Sequence, residues 1–120
     1  MITQKGTLAV GIEQEGKVHK EFTIRPQTVG DSVEIMEGQY ADRARKNDSF
    51  FGVCILARQI VSIGDIQGDH ITPELVMSLT EIDYRELEKA REALARRLMS
   101  FRSEAETTEA VDTGPHEAGL

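Results

Sequence analysis

The chain opens on strict alternation. Leu8, Val10 and Ile12 interleave with Thr7, Ala9 and Gly11, and after Glu15-Gly16 the residues Val18, Lys20, Phe22 and Ile24 interleave with His19, Glu21 and Thr23. A period of two places successive side chains on opposite faces of a strand, so residues 7–25 predict an antiparallel hairpin. Gly16 can take the positive φ that a tight hairpin turn requires. A lone hairpin is marginal in water, so its apolar face needs helices against it. Pro26 has no N–H for a ladder and holds Arg25 extended, which ends the second strand. Thr28, with Asp31 three residues on, supplies the short polar side chains of a helix N-terminus.

Beyond this junction the period lengthens. A first helix is predicted over about 29–40, with Val33, Ile35 and Met36 as its apolar side and Gly38 weakening its end. Asp42 to Asp48 reads as a charged connector, or a polar last turn plus a loop. Residues 49–63 hold Phe50, Phe51, Val53, Cys54, Ile55, Leu56, Ala57, Ile60, Val61 and Ile63, and predict a largely buried helix. A strand over Phe50–Ala57 is the alternative, since periodicity does not settle a short apolar run. Gly64 to Asp69 is a turn-rich loop. Thr72-Pro73-Glu74 combines a cap, a proline at the first helical position and an acid in the first turn, which starts a helix over 73–79. Thr80 with Asp83 restarts a longer one over 81–101, whose Tyr84, Leu87, Leu94, Leu98 and Phe101 recur at near-heptad spacing with Arg91 interrupting the seam. After Arg102 apolar residues thin out, and 103–120 reads as a disordered acidic tail. The predicted fold is α+β: one domain over 1–102, with an N-terminal antiparallel hairpin packed against three to four helices.

Composition narrows the function. The chain has 120 residues, 39% of them hydrophobic and 29% charged, with no tryptophan, which suits a modest core with much surface. Its net charge is −7 and its pI about 4.9. A phosphate backbone is neutralised by Lys and Arg, so a nucleic-acid partner is disfavoured. The imbalance is local, because Glu104, Glu106, Glu109, Asp112 and Glu117 lie in a tail without Lys or Arg. One cysteine excludes an internal disulfide and fits a reducing cytoplasm. The N-terminus has no apolar signal segment, and Phe50–Ala57 is far short of the roughly 20 residues that span a membrane. A cytoplasmic location is expected.

Candidate chemistry is sparse. Cys54 sits in Val53-Cys54-Ile55-Leu56, an apolar setting that raises a thiol pKa and hides it, so it reads as structural. His19, His70 and His116 fall on a strand, a loop and the tail, none with a partner at metal-ligand spacing. Asp65, Asp69, His70 and Glu74 surround a glycine-bearing loop but lack the alternating ligands of a calcium loop. Neither Gly30-Asp31 nor Gly64-Asp65 has the glycine set or the Lys-Ser/Thr of a phosphate-binding loop. No catalytic residue, metal or cofactor is expected, and no enzyme. Arg43, Arg45 and Lys46 form one basic cluster and Arg91, Arg96 and Arg97 another. Both read as solvated faces, or as docking points for an acidic partner or nucleic acid. The stripe Tyr84, Leu87, Leu94, Leu98 and Phe101 reads as core, or as a partner surface where the other elements fail to cover it.

One resemblance adds to this. The run Phe22-Thr23-Ile24-Arg25-Pro26-Gln27-Thr28-Val29-Gly30-Asp31 after a strand pair, followed by a small helical remainder, resembles the tail assembly chaperones of Mu-like phages and prophages. The motif residues are Phe22, Thr23, Ile24, Arg25, Pro26, Thr28, Val29, Gly30 and Asp31. Leu75, Leu79, Asp83, Tyr84 and Leu87 match the helical pattern that closes such proteins, and the likeness covers roughly residues 7–101. It implies a non-enzymatic chaperone, absent from the finished virion, that binds and solubilises the tape measure protein. In several families of this kind a ribosomal frameshift near the end of the gene yields a longer form that recruits the tail tube protein. Tyr84, Leu87, Leu94, Leu98 and Phe101 are then the expected partner-binding face, and self-association is compatible with spare apolar surface. The other readings are a minor structural component of the tail and a small nucleic-acid-binding regulator using the arginines of the last helix.

Overall fold

A computed structural model describes residues 1–113, with side chains through Arg102. Strand β1 (Gln4–Gln14) and β2 (Lys17–Ile24) form the expected hairpin, turning at Glu15 and Gly16, whose φ values of 54° and 76° are both positive. That pair of conformations defines the turn whose twist matches paired strands. The hairpin is not uniform. Thr7 pairs with Glu21 and Ile12 with His19, so Leu8, Ala9, Val10 and Gly11 stand opposite Lys20 alone. This wide bulge bends β1 and sends Leu8 into the core, where it is buried.

Helix α1 (Val29–Glu37) follows the Pro26 break, and Gly38 ends it in an extended conformation. The single helix expected over 29–40 is therefore shorter, and the expected charged connector contains a second helix, α2 (Ala41–Lys46). Ala41 and Ala44, one turn apart, bury the inner side of α2 and leave its charges outside. Asn47 then caps α3 (Asp48–Gln59), accepting from the Phe50 amide at 3.1 Å.

The helix expected over 49–63 stops at Gln59. Ile60 to Ile63 form strand β3, which pairs antiparallel with β2 through Phe22–Ile63 and Thr23–Ser62. Ile60, Val61 and Ile63 are β-branched and lie beside an open strand edge, which overrides helix continuation. Gly64, at φ 57°, turns the chain into the two-residue strand β4 (Ile66–Gln67), so the sheet order is β1-β2-β3-β4, all antiparallel. The expected loop at 64–69 thus holds a turn, a strand and the start of a 3-10 turn at Gly68–His70.

Helix α4 (Pro73–Met77) starts as expected, the Thr72 hydroxyl accepting from the Leu75 amide at 3.2 Å. Helix α5 (Glu81–Thr113) runs well past the expected end near Phe101. Its residues from Ser103 to Thr113 contain neither glycine nor proline and several good helix formers. Of the tail expected over 103–120, the backbone of 103–113 thus continues α5, and 114–120 lie outside the described residues.

The main core joins Leu8, Phe22, Ile24, Leu56, Ile60, Ile63, Leu87 and Leu94, so it lies between the sheet, α3 and the first half of α5. A second cluster of Ile35, Ala44, Phe50, Cys54 and Ile55 lies where α1 and α2 meet α3. Helix α3 serves both clusters, which explains why it is apolar nearly all round.

Candidate functional site

The motif Phe22 to Asp31 closes on itself. Phe22 and Ile24 are buried in the main core. Arg25, next in line and on the opposite face, reaches round Pro26 to the carboxylate of Asp31. Nη1 of Arg25 lies 3.1 Å from Oδ2, and Nη2 lies 2.8 Å from Oδ1. Asp31 also accepts from the Thr28 amide at 2.8 Å and from Nε of Arg58 at 3.1 Å. Arg58 in turn pairs with Glu34. The Asp31 side chain is only 2% exposed. The Arg25 guanidinium holds its carboxyl well below the usual carboxylate range despite burial, with the Thr28 amide and Arg58 assisting. Gln59 donates to the Arg25 carbonyl at 3.0 Å, and the Arg25 amide donates to the Gln59 carbonyl at 2.9 Å, which fastens the junction to the end of α3. Arg25, Pro26, Thr28 and Asp31 therefore form a structural node. Gly30 lies in the first turn of α1, where an added Cβ would make only ordinary contacts, 3.7 Å from Thr28 and Glu34.

A second node was not legible locally. Asp83 is the third residue of α5, and its amide donates to the hydroxyl of the capping Thr80 at 3.2 Å. Its side chain faces the β1 bulge. The amides of Ala9 and Val10 donate to Oδ1 at 2.7 and 2.9 Å, and that of Gly11 donates to Oδ2 at 2.8 Å. The bulge leaves these amides without a strand partner, and one buried carboxylate satisfies all three. Gly11, at φ 90°, lets the backbone curl round the oxygens.

The expected partner face divides in two. Leu87 and Leu94 are 0% and 2% exposed and Tyr84 is half-buried, all packed in the main core. These three are core rather than free surface, because the β1 bulge brings α5 down onto the sheet. Leu98 and Phe101 continue the same stripe four and seven residues past Leu94, yet they are 36% and 53% exposed, and Met99 beside them is 56% exposed. Arg97 marks the boundary. Its Nη1 donates to the Thr3 carbonyl and to Oε1 of Gln4, each at 2.8 Å, where the chain enters β1. Past that point nothing in the sheet lies beneath the stripe among the described residues.

The remaining candidates have structural surroundings. Cys54 is buried, and desolvation pushes its thiol pKa up. His19 is buried, its Nδ1 accepting from the Asp65 amide at 3.2 Å. His70 meets Asp69 at 3.1 Å on the surface. Among the described residues no group of three or more His, Cys, Asp or Glu is placed to hold a metal ion. Of the basic cluster on α2, Arg43 stacks 4.1 Å above the Phe50 ring and Arg45 pairs with Asp42 at 3.0 Å. A cleft of about 710 Å³ separates the two apolar clusters, lined by Ile35, Tyr40, Cys54, Ile60 and Ile71, with Arg25 and Arg58 at its rim. Both rim cations are already engaged by Asp31 and Glu34, so the cleft offers no free charge to an anion. No described helix is long and apolar enough to cross a membrane. Comparison with protein-family models, with curated proteins and with solved structures gives no match.

Proposed function

We propose that this chain is a tail assembly chaperone of the Mu-like phage type, binding the tape measure protein in the host cytoplasm while the tail is built. The observation that carries the reading is the apolar stripe of α5 running off the end of the sheet, where Leu98, Met99 and Phe101 stand exposed on the helix. A holding chaperone needs such a face, because an aggregation-prone partner is kept in solution by covering its apolar segments reversibly. The motif resemblance supports the same reading through Arg25, Pro26, Thr28 and Asp31, which build the node that braces the sheet against α1 and α3. The binding face narrows to Leu98 and Phe101, since Leu87 and Leu94 are committed to the core.

Co-expression with the tape measure protein of the same gene cluster, followed by affinity capture of this chain, tests the reading. Soluble co-purification is expected, and it should be lost with Leu98→Asp combined with Phe101→Asp while circular dichroism stays that of the parent. A tape measure protein that stays insoluble and uncaptured overturns the proposal. Recovery of this chain from purified particles favours a structural component of the tail instead.

A further inference from the structure

Leu8 to Gly11 of β1 stand opposite Lys20 alone, while Gln4 to Thr7 and Ile12 to Gln14 are paired with β2 on either side. An extended strand cannot fit these residues into the room of one, so the register itself forces them out of the ladder. Only Leu8 goes into the core. Ala9 and Val10 are exposed, Val10 by 50%, so burial of apolar surface does not account for them. What Ala9, Val10 and Gly11 share is the direction of their amides, with Gly11 at φ 90° completing the curl. Successive N–H groups that converge in this way form an anion-binding concavity.

We infer that the β1 bulge is a carboxylate-binding cradle built by the hairpin, and that Asp83 is its tethered ligand. The geometry defines the class of anion. The amides of Ala9 and Val10 reach Oδ1 at 2.7 and 2.9 Å and that of Gly11 reaches Oδ2 at 2.8 Å, a planar two-oxygen pattern. Asp83 is 0% exposed, so its carboxylate fills the cavity, and a bulkier tetrahedral oxyanion such as sulfate finds no room in a close-packed site. Because paired residues on both sides of the bulge hold the amides in place, the cradle outlasts removal of the Asp83 side chain. A small anion then reaches it past the exposed Ala9 and Val10. This assignment is independent of the chaperone reading.

Asp83→Ala, in the full chain, removes the carboxylate and keeps Cβ. Its melting temperature is compared in sodium formate, acetate, sulfate and chloride at equal ionic strength, each corrected for the shift the same salt gives the parent, whose cradle is filled. At about 0.5 M, formate should raise the midpoint by about 5 °C over chloride, as a weak ligand of the native state does. Acetate should do less, because its methyl meets the alanine Cβ, and should match formate in Asp83→Gly, where that space is free. Asp83→Asn, whose amide still plugs the cradle, should show no gain specific to formate. If Asp83→Ala does not fold in chloride, recovery of its circular dichroism in formate supports the inference, and failure to recover overturns it. Equal midpoints in formate and chloride overturn it too, since the amides then converge only because Asp83 gathers them. A formate gain as large in Asp83→Asn, or a larger corrected gain from sulfate, also overturns it.

Discussion

Asp83 and Gly11 stand 72 residues apart in the chain, and the Gly11 amide donates to Oδ2 of Asp83 at 2.8 Å. With the Ala9 and Val10 amides on Oδ1, this contact pins the start of α5 to the β1 bulge. Replacing Asp83 with Ala leaves three donors without their acceptor. The expected loss is about 3 kcal/mol or more, read as a lower urea midpoint. Asp83→Asn keeps one acceptor oxygen and should fall between. A loss below about 1 kcal/mol for the alanine variant means that water replaces the carboxylate and the node is not stabilising.

Gly11 is the other half of that contact. At φ 90° an added Cβ is strained, and it would stand 2.9 Å from the His19 carbonyl. Gly11→Ala should therefore destabilise by about 1–3 kcal/mol. Gly16→Ala, in open space at the turn, pays only the positive-φ penalty and should lose less. Equal losses in paired thermal melts would refute the claim that crowding at the bulge matters.

Arg25 and Asp31 predict a pH dependence. The native Asp31 carboxyl titrates well below its unfolded counterpart, mainly through Arg25, so the unfolded chain binds more protons in acid. The stabilisation is fully present above the unfolded value of about 4 and drains away as pH falls through the native value. Urea midpoints at about pH 7, 5 and 3 should decline most steeply in the last interval. Asp31→Asn should flatten that decline while costing about 2–3 kcal/mol at neutral pH. Arg25→Lys should lose about 1–2 kcal/mol, because an ammonium cannot grip both oxygens. An Asn variant with the parent's acid profile would assign the acid sensitivity to other carboxylates.

Leu94 and Leu98 differ by one helical turn and should differ sharply in consequence. Leu94→Asp buries a carboxylate in the main core and should cost about 4 kcal/mol or more. Leu98→Asp should stay within about 0.5 kcal/mol of the parent yet abolish partner binding. Comparable destabilisation by both would place Leu98 in the core.

Cys54 should be inert. Its thiol is buried and its pKa raised by desolvation, so a disulfide reagent should label it only through opening of the cluster round α3. Labelling of the native protein as fast as that of the urea-unfolded chain would refute this.

Much of the architecture is local and was open to reading. Alternation in 7–25 specifies a hairpin, Pro26 stops it, and Thr72-Pro73 starts a helix, because each signal acts within a few residues through backbone geometry or a missing N–H. The apolar seam of α5 was legible for the same reason, as was the burial of Cys54. Three features depended on partners far along the chain. Ile60 to Ile63 became a strand because β2 offers an open edge, and nothing in that run alone separates it from the end of α3. Asp83 looks like any acid in the first turn of a helix until the β1 bulge brings three bare amides to it. The seam from Tyr84 to Phe101 is continuous in sequence, and only packing against the sheet decides that Leu94 is buried while Leu98 and Phe101 are 36% and 53% exposed. Short-range sterics and periodicity wrote the elements, whereas burial, a property of which surfaces meet, was decided by tertiary packing.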